Sequence, residues 1–489
     1  MAQVYKAAGN IYGVQNRVDG RKSENELLEK SDNWLKIISR NKSFERNNPF
    51  ANAAKNVMQV YCGCLTVVEG NQESMQAFND WAKYAGLQSG QSFWEIYSEI
   101  VGVLTWADCL VVLGNDPYAL PGTISARIKI IDPLCVETPP KYRNKGIVGG
   151  MRVVLGVALD KNDIEIGYYV RKAGTDGNSD SDYAFLPRYD KDTKRFASML
   201  VRAPGSVLPG QLRSLPMLAS SMDTLDVLDQ LMESAAIEAK TKSTISVMIS
   251  TGSPETKEGF ESAAPRFVNA ETGEIADEQK KSEPVPKINF SDIKSGDAIF
   301  LPADATPHII NNHGELNLVE QIKAQLKIIA GAIGIPYTAL MSDFEKMNFS
   351  SGKLSFDKLF RLVEQWNFGP LVRLCDEIYK TVCLEYYLLK GVLPTPDMLE
   401  CDWVSPSQPD PDPLKSAKAN TENIVKNKTL NRSDAVGRRG DNYLKHLKQK
   451  KRETEMETEE LGAPIEDNFS DSGTSGEPDD DDDDVEDEE

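Results

Sequence analysis

The sequence predicts an α+β protein assembled from several regions, and three features carry that reading. Its 489 residues exceed what one hydrophobic core can serve. Its first half mixes helical periodicity with short apolar or alternating runs that read as strands. Its middle places two amphipathic helices on either side of a polar insert rich in Pro, Gly, Ser and charge.

The elements follow in order. Residues 1–45 are polar and read as an N-terminal arm. Asn48 to Val68 is the first amphipathic helix, with Asn48 suited to the cap and Pro49 to the first helical position. Ser92 to Leu104 is a second helix. CLVVL at 109–113 and ISARIKIID at 124–132 read as strands. The stretch VVLGVALDKNDIEIGYYV at 153–170 is a β-hairpin, since Ile164, Ile166, Tyr168 and Val170 alternate after an Asp-Lys-Asn-Asp turn.

After Pro216 the period changes. Met222, Leu225, Leu228, Met232, Ala235 and Ala239 recur at helical spacing, which gives a helix over about 217–242. The insert covers about 243–314, with β-type ends and an exposed middle. A second helix spans about 315–333, with Leu318, Ile322, Gln325 and Ile329 on one face. A third helical block covers Ser351 to Leu389, interrupted at Gly369-Pro370. A Pro/Asp linker follows Trp403, and then 415–425 and 434–460 read as helical. No repeat of fixed period appears.

The formal charge of -20 is a property of the end of the chain. Residues 453–489 hold 19 acidic side chains and no basic one, so residues 1–452 carry only -1. The tail has too little apolar content to order itself by burial. The near-neutral body excludes a broad basic surface for nucleic acid, while a local patch stays open.

Seven cysteines, at 62, 64, 109, 135, 375, 383 and 401, are too few and too scattered for a disulfide framework, which suits a reducing compartment. The N-terminus has no apolar run of signal-peptide type. The longest charge-free stretch, Ile328 to Ser342, is 15 residues, short of the ~20 a membrane helix needs. These features predict a soluble chain made inside the cell.

Reactive constellations do not emerge. His308, His313 and His446 have no metal-ligand spacing. Cys62 and Cys64 are one residue apart, where redox and zinc motifs need two. GSVLPGQL at 205–212 has the glycine spacing of a phosphate loop, but Gln211 and Leu212 stand where Lys and Ser/Thr are required. Asp176, Asn178, Asp180 and Asp182 alternate as in a calcium loop, yet Ser181 replaces the glycine and Pro187 the bidentate Glu, so a turn is expected. Lys445, Lys448, Lys450, Lys451 and Arg452 read as a solvated helix face. The expectation is a non-enzyme with no cofactor and no metal.

The order of segments resembles the lambda-type portal proteins of tailed bacteriophages. The matching strings are RNNPFA at 46–51, IDPLCVETP at 131–139, the Val153–Val170 hairpin and PGQLRSLPML at 209–218. They continue with IAGAIGIPYTALMSDFEKMNFSSGK at 329–353 and DWVSPSQPDPDPLKSAKA at 402–419. Three departures are Ser214 where Gly is usual, Gly352-Lys353 where Ala-Arg is common, and the long acidic tail.

The resemblance implies a ring-forming portal fold. It would have a mixed α/β wing over 46–216, stem helices at 217–242 and 315–333, and a β clip at 243–314. A tunnel loop with wing helices would fill 334–400, a helical crown side 401–452, and the disordered tail 453–489. It also implies a dodecamer at one capsid vertex of the virion, assembled in the host bacterial cytoplasm without a membrane. Double-stranded DNA would be packaged through it by the large terminase subunit and later ejected. Major capsid and scaffold proteins and a head-tail adaptor would be its other partners. Tunnel-loop contacts with DNA fall to Asn348, Ser350, Ser351 and Lys353, and stem positions along the channel to Asp226, Glu233, Lys323 and Lys327. The competing readings are a head-to-tail adaptor or another structural virion subunit, which would lack the helix–insert–helix core, and an enzyme, for which no site is present.

Overall fold

The computed structural model describes residues 33–244 apart from 88–89, 144–146, 192–193 and 206–208. It also describes 247–250, 298–301, 318–406 apart from 344–348, and, beyond 406, residues 418, 421–426, 447, 450–452 and 454–455. The chain divides into two compact units, 1–406 and 407–489. In the second unit, Glu422–Lys426 is a π-helical turn. The acidic tail predicted from 453 onward lies almost wholly outside the described residues.

The first described helix, α1 (Asn33–Asn47), falls inside the segment predicted to be a polar arm. Its fully buried apolar residues are Trp34, Ile37 and Ile38, set against Trp106, Ala107 and Met222, with Leu35 and Phe44 partly buried beside them. Three well-placed side chains suffice for docking when the partners are large, and composition averaged over the segment hides them. Helix α2 (Pro49–Cys62) begins as expected, because the Asn48 side chain accepts hydrogen bonds from the Phe50 and Ala51 amides at 2.9 and 3.0 Å. It ends sooner than expected. Gly63 adopts φ +51°, and Thr66–Gly70 becomes strand β1 instead of a further helical turn. The β-branched run Thr-Val-Val favours an extended backbone once a partner strand is offered. That partner is Cys401–Val404, which pairs antiparallel with Val67 opposite Trp403. The strand therefore binds residues 401–404 to the first unit, whereas the sequence reading assigned them to the crown side.

Helices α3 (Gln72–Ala82) and α4 (Phe93–Trp106) follow, the latter opened by a capping box between Ser92 and Glu95. Strand β2 (Cys109–Asn115) is the centre of a three-stranded antiparallel sheet flanked by β3 (Ala126–Ile131) and β8 (Ser198–Val201). A second, four-stranded antiparallel sheet runs in chain order through β4 (Arg152–Val154), β5 (Val157–Leu159), β6 (Glu165–Arg171) and β7 (Tyr183–Pro187). The predicted hairpin is its centre. Its turn is tied by Asp160, whose Oδ1 accepts from the Asn162 and Ile164 amides, both at 2.8 Å. At Gly156 a side chain is excluded twice: φ is +82°, and a Cβ would lie 2.8 Å from both the Val136 Cγ1 and the Glu137 amide.

Helix α5 (Met222–Thr244) leads into strand β9 (Val247–Ser250), which pairs in parallel with β10 (Ala298–Leu301). Helix α6 (Leu318–Ile333) returns, followed by the short α7 (Tyr337–Met341). The third helical block is α8 (Phe349–Trp366) and α9 (Val372–Leu389). The predicted break at Gly369-Pro370 is a π-helical segment, Asn367–Leu371, so the helix widens instead of stopping. A wider turn accommodates the proline ring and its missing N–H. Asn367 holds the segment: its Nδ2 donates to the Cys62 carbonyl at 3.0 Å and to Ser405 Oγ at 2.7 Å, and its Oδ1 accepts from the Tyr97 hydroxyl at 2.9 Å.

One ion pair sits where these layers meet. Arg213 and Asp108 are both fully excluded from solvent, and the pair is bidentate, with Nε and one terminal nitrogen donating to the two carboxylate oxygens at 2.5 and 2.7 Å. The other donors reach the carbonyls of Val136 at 3.1 Å, Leu155 at 2.8 Å and Pro133 at 3.3 Å. The guanidinium also lies 3.8 Å from the ring centroid of Trp34. Asp108→Asn is expected to destabilise the chain by about 3–5 kcal/mol, because an uncompensated guanidinium would remain buried. Urea unfolding of the two proteins measures this, and a loss under about 1 kcal/mol would show that the pair is not a structural anchor.

Candidate functional site

The helix pair α5 and α6 is the element that the sequence singled out, and its two ends differ. Near its start, α5 is sunk into the body: Leu225 and Leu228 are buried with Leu326, Ile329, Ala330 and Ile333 of α6 and the residues that follow in the main core. Polar contacts pin the same end. Arg40 of α1 pairs with Asp223 at 3.2 Å and with Asp226, and Asn48 Nδ2 donates to Asp229 at 2.7 Å. Asp226, expected on the channel, is therefore half-buried and ion-paired within the chain. Aspartates in the first turns of a helix also suit its dipole.

Farther along, apolar side chains emerge. Met232 and Ile237 of α5 and Val319 near the start of α6 are 39%, 59% and 60% exposed, and Ile328, on the outward side of the docked stretch between buried Leu326 and Ile329, is 58% exposed. Glu233, Lys323 and Lys327 are exposed too, with the Lys327 ammonium 5.9 Å from the Tyr337 ring centroid. Helical spacing correctly placed one buried face, but it could not show that Met232, on that face by register, is uncovered beyond the docked end.

After α6, Gly334 at φ +80° turns the chain into α7, and Ser342 ends α7 in the left-handed region at φ +52°. The Tyr337 hydroxyl reaches Asp343 at 3.4 Å, and burial followed by that carboxylate raises its phenol. Residues 344–348, Asn348 among them, lie outside the described residues. Ser350, Ser351 and Lys353 belong to the start of α8, which begins at Phe349, two residues before the Ser351 start read from sequence, and Ser351 and Lys353 are exposed there. The helix begins early because Phe356, Leu359, Phe360 and Val363 supply a long stripe against the core that the first turn extends.

The motifs weighed for chemistry have structural uses. Gln211 is buried and donates to the Arg213 carbonyl at 2.7 Å, so the phosphate-loop-like glycines serve a turn, with Gly205 and Gly210 at φ +74° and +80°. Ser179 caps a 3-10 turn over Asp180–Asp182; Asp182 accepts from the Ser179 amide at 3.0 Å and Asp180 from the Lys141 amide at 2.8 Å. Among the described residues no group of three His, Cys, Asp or Glu side chains could hold a metal ion, and no helix is long and apolar enough to cross a membrane. The three histidines lie outside the described residues.

The cysteines, scattered in sequence, converge in space. Cys62, Cys109, Cys375 and Cys383 are buried in the main core, and Cys64 and Cys401 pack against it. All are free thiols. Burial pushes Cys62, Cys64 and Cys383 up to about 12 and raises Cys109, Cys375 and Cys401 as well. They act as small apolar residues, held neutral.

Two anchors escaped sequence reading. Arg213 lay inside the quoted string PGQLRSLPML, where a lone cation among apolar residues was the available signal. Arg40 gave none, because its partners are far away in the chain.

Among the described residues these features define a mixed α/β chain with a docked helix pair, α5 and α6. The chain belongs to the lambda family of phage portal proteins, whose family model matches residues 19–367. A probable portal protein of Halomonas phage phiHAP-1 is 23% identical over 384 residues, covering 75% of this chain and 66% of that protein, so the chain spans just under two thirds of that relative's length. Two solved structures share 13% identity with it and are covered over 92% of their length against 82% of this chain: a virion of a native gene transfer agent particle, TM-score 0.40, and the neck of an empty such particle, TM-score 0.37.

The buried thiols carry a pH consequence. Below a pH near the ordinary thiol value of 9.0 they are neutral in both folded and unfolded chains and contribute no pH dependence. Above it the unfolded thiols ionise first, so stability is expected to fall as pH rises from about 9 toward 12, by on the order of 1 kcal/mol per thiol per pH unit. Urea midpoints under reducing conditions across this range should show a shallower decline in Cys62→Ala. Equal slopes in the two proteins would count against it.

Proposed function

We propose that this chain forms the ring at one capsid vertex through which double-stranded DNA is packaged and later ejected, and to which the tail connector attaches. Membership of the portal family over 19–367 is the observation that carries the reading. Exposed Met232, Ile237, Val319 and Ile328 support it, because two helices with uncovered apolar residues suit burial against neighbouring copies. In this reading twelve copies close a ring, with 222–244 and 318–333 as its stem and the segment between them as its clip. Glu233, Lys323 and Lys327 are then the stem residues available to the channel, while Asp226 serves docking. Residues 343–348 with the first turn of α8 form the tunnel loop, so Asn348, Ser350, Ser351 and Lys353 meet DNA.

A conduit must hold DNA weakly. Duplex DNA carries about one negative charge per 1.7 Å, and a strongly basic channel would retain it by counterion release. The near-neutral body suits sliding. Movement is then driven by the terminase, with capsid, scaffold and head-tail adaptor proteins as the other contacts of a virion component.

Two measurements test the reading. Native mass spectrometry of the full chain is expected to show a dodecamer, and Val319→Asp with Ile328→Asp to give monomers with an unchanged circular dichroism spectrum. A wild-type chain monomeric at micromolar concentration would overturn the ring. Deleting 344–348 is expected to leave rings intact and to lower DNA retention in assembled particles several-fold. Loss of rings on that deletion would make the segment structural.

A further inference from the structure

A polar cavity of about 360 Å³ opens between the two sheets and α9, away from the stem helices. Its walls carry four cations and three carboxylates, and their bonding states differ. Every carboxylate is engaged. Glu165 pairs with Arg202 and accepts from the Tyr168 hydroxyl at 3.2 Å, Asp376 accepts from Trp403 Nε1 at 2.7 Å, and Glu377 accepts from the Tyr189 hydroxyl at 3.4 Å. Arg202 is consumed by Glu165 and by the Leu212 carbonyl at 2.6 Å.

The other three cations are underused. Arg188 lies 5.6 Å over the Tyr189 ring and its side chain also engages the Tyr189 hydroxyl, but its Nε is buried without a hydrogen-bond partner. A buried donor left unpaired costs free energy, so an acceptor is what this wall lacks. Arg373 and Lys380 stand on the same face of α9, seven residues apart, and both are exposed at the mouth of the cavity. Neither makes a hydrogen bond or ion pair with any described residue. Sequence reading passed over all three, because 188 and the 373–380 face meet only through tertiary packing.

We propose that this cavity binds a phosphate-class oxyanion, carried either by inorganic phosphate or by the phosphorylated end of a nucleic-acid strand. The Arg188 guanidinium supplies fixed donors from the inner wall, and Arg373 and Lys380 close on the anion from the mouth. Four cations against three carboxylates leave the walls a net charge of +1, and the one carboxylate that pairs with a cation, Glu165, takes Arg202 and leaves the other three cations toward the cavity. This goes beyond the conduit reading and does not depend on ring formation.

The test uses the full chain, with thermal unfolding followed by tryptophan fluorescence. Inorganic phosphate is titrated at constant ionic strength against sodium chloride, and a short oligodeoxynucleotide is compared with and without its 5′-phosphate. Wild type is expected to gain stability with phosphate. Arg373→Gln with Lys380→Gln should weaken the apparent affinity at least about ten-fold. Lys358→Gln, an exposed cation on α8, should respond as wild type does. Tighter binding of the phosphorylated oligonucleotide than of inorganic phosphate, with none for the unphosphorylated strand, identifies a strand end; a response to inorganic phosphate alone identifies the free ion. Equal phosphate responses in wild type and the double variant, or a wild-type response no larger than that to chloride, would overturn the site and leave water as the partner of Arg188.

Discussion

The buried pair of Arg213 with Asp108 is the contact on which the arrangement of the first unit depends. A guanidinium without solvent needs a counter-charge and an acceptor for each N–H, and here both are provided. The acceptors come from three separate segments: Asp108 at the α4–β2 junction, the carbonyls of Pro133 and Val136 from one turn, and the β4–β5 corner at Leu155. Only one relative placement of these segments satisfies all of them. The pair therefore contributes uniqueness more than raw stability, since two desolvated charges recover little net free energy from each other.

From that point the order propagates outward. Trp34 stacks on the guanidinium and also donates its indole N–H to the Ser214 carbonyl at 3.3 Å, which seats α1. Seated, α1 presents Arg40 to Asp223 and Asp226, and the chain leaving it presents Asn48 to Asp229. The first half of α5 is thus aimed by polar contacts as well as by burial of Leu225 and Leu228. Among the described side chains of its second half, Glu233 and Ile237 are exposed. Helix direction is set by the body, and that exposed surface is left for other contacts, which in the proposed ring are other copies of the chain.

The C-terminal helices are fixed by a second set of long-range ties. Asn367 joins the π-helical segment to α2, α4 and the strand at 401–404, while Trp403 joins that strand to Asp376 on α9 and packs edge-on against Phe78 and Tyr379. Closing α9 onto the sheets in this way creates the cation-lined cavity. The same packing gathers six free cysteines into the main core or against it, where small polarizable side chains fill space between aromatic rings.

The sequence by itself determined what depends on near neighbours along the chain. The Asn48 cap with Pro49, the hairpin turn at Asp160, and the stripe of Met222, Leu225 and Leu228 are local patterns, and each appears as read; the alternation holds at Tyr168 and Val170, while Ile164 is exposed and Ile166 packs with Tyr169 in another cluster. The motif strings, in order, were enough to name the family. Tertiary structure decided the rest. Thr66–Gly70 is a strand because Cys401–Val404 lies beside it, whereas the stop of the helix from Asn48 at Gly63 had a local signal in the glycine itself. Asp226 reads as a solvent-facing acid until Arg40 is brought to it. Arg213, Asn367 and the Arg188–Arg373–Lys380 group have meaning only through atoms distant in sequence. Local periodicity records which face of an element is apolar, whereas charge pairing, strand partnership and cavity lining are properties of the places where elements meet.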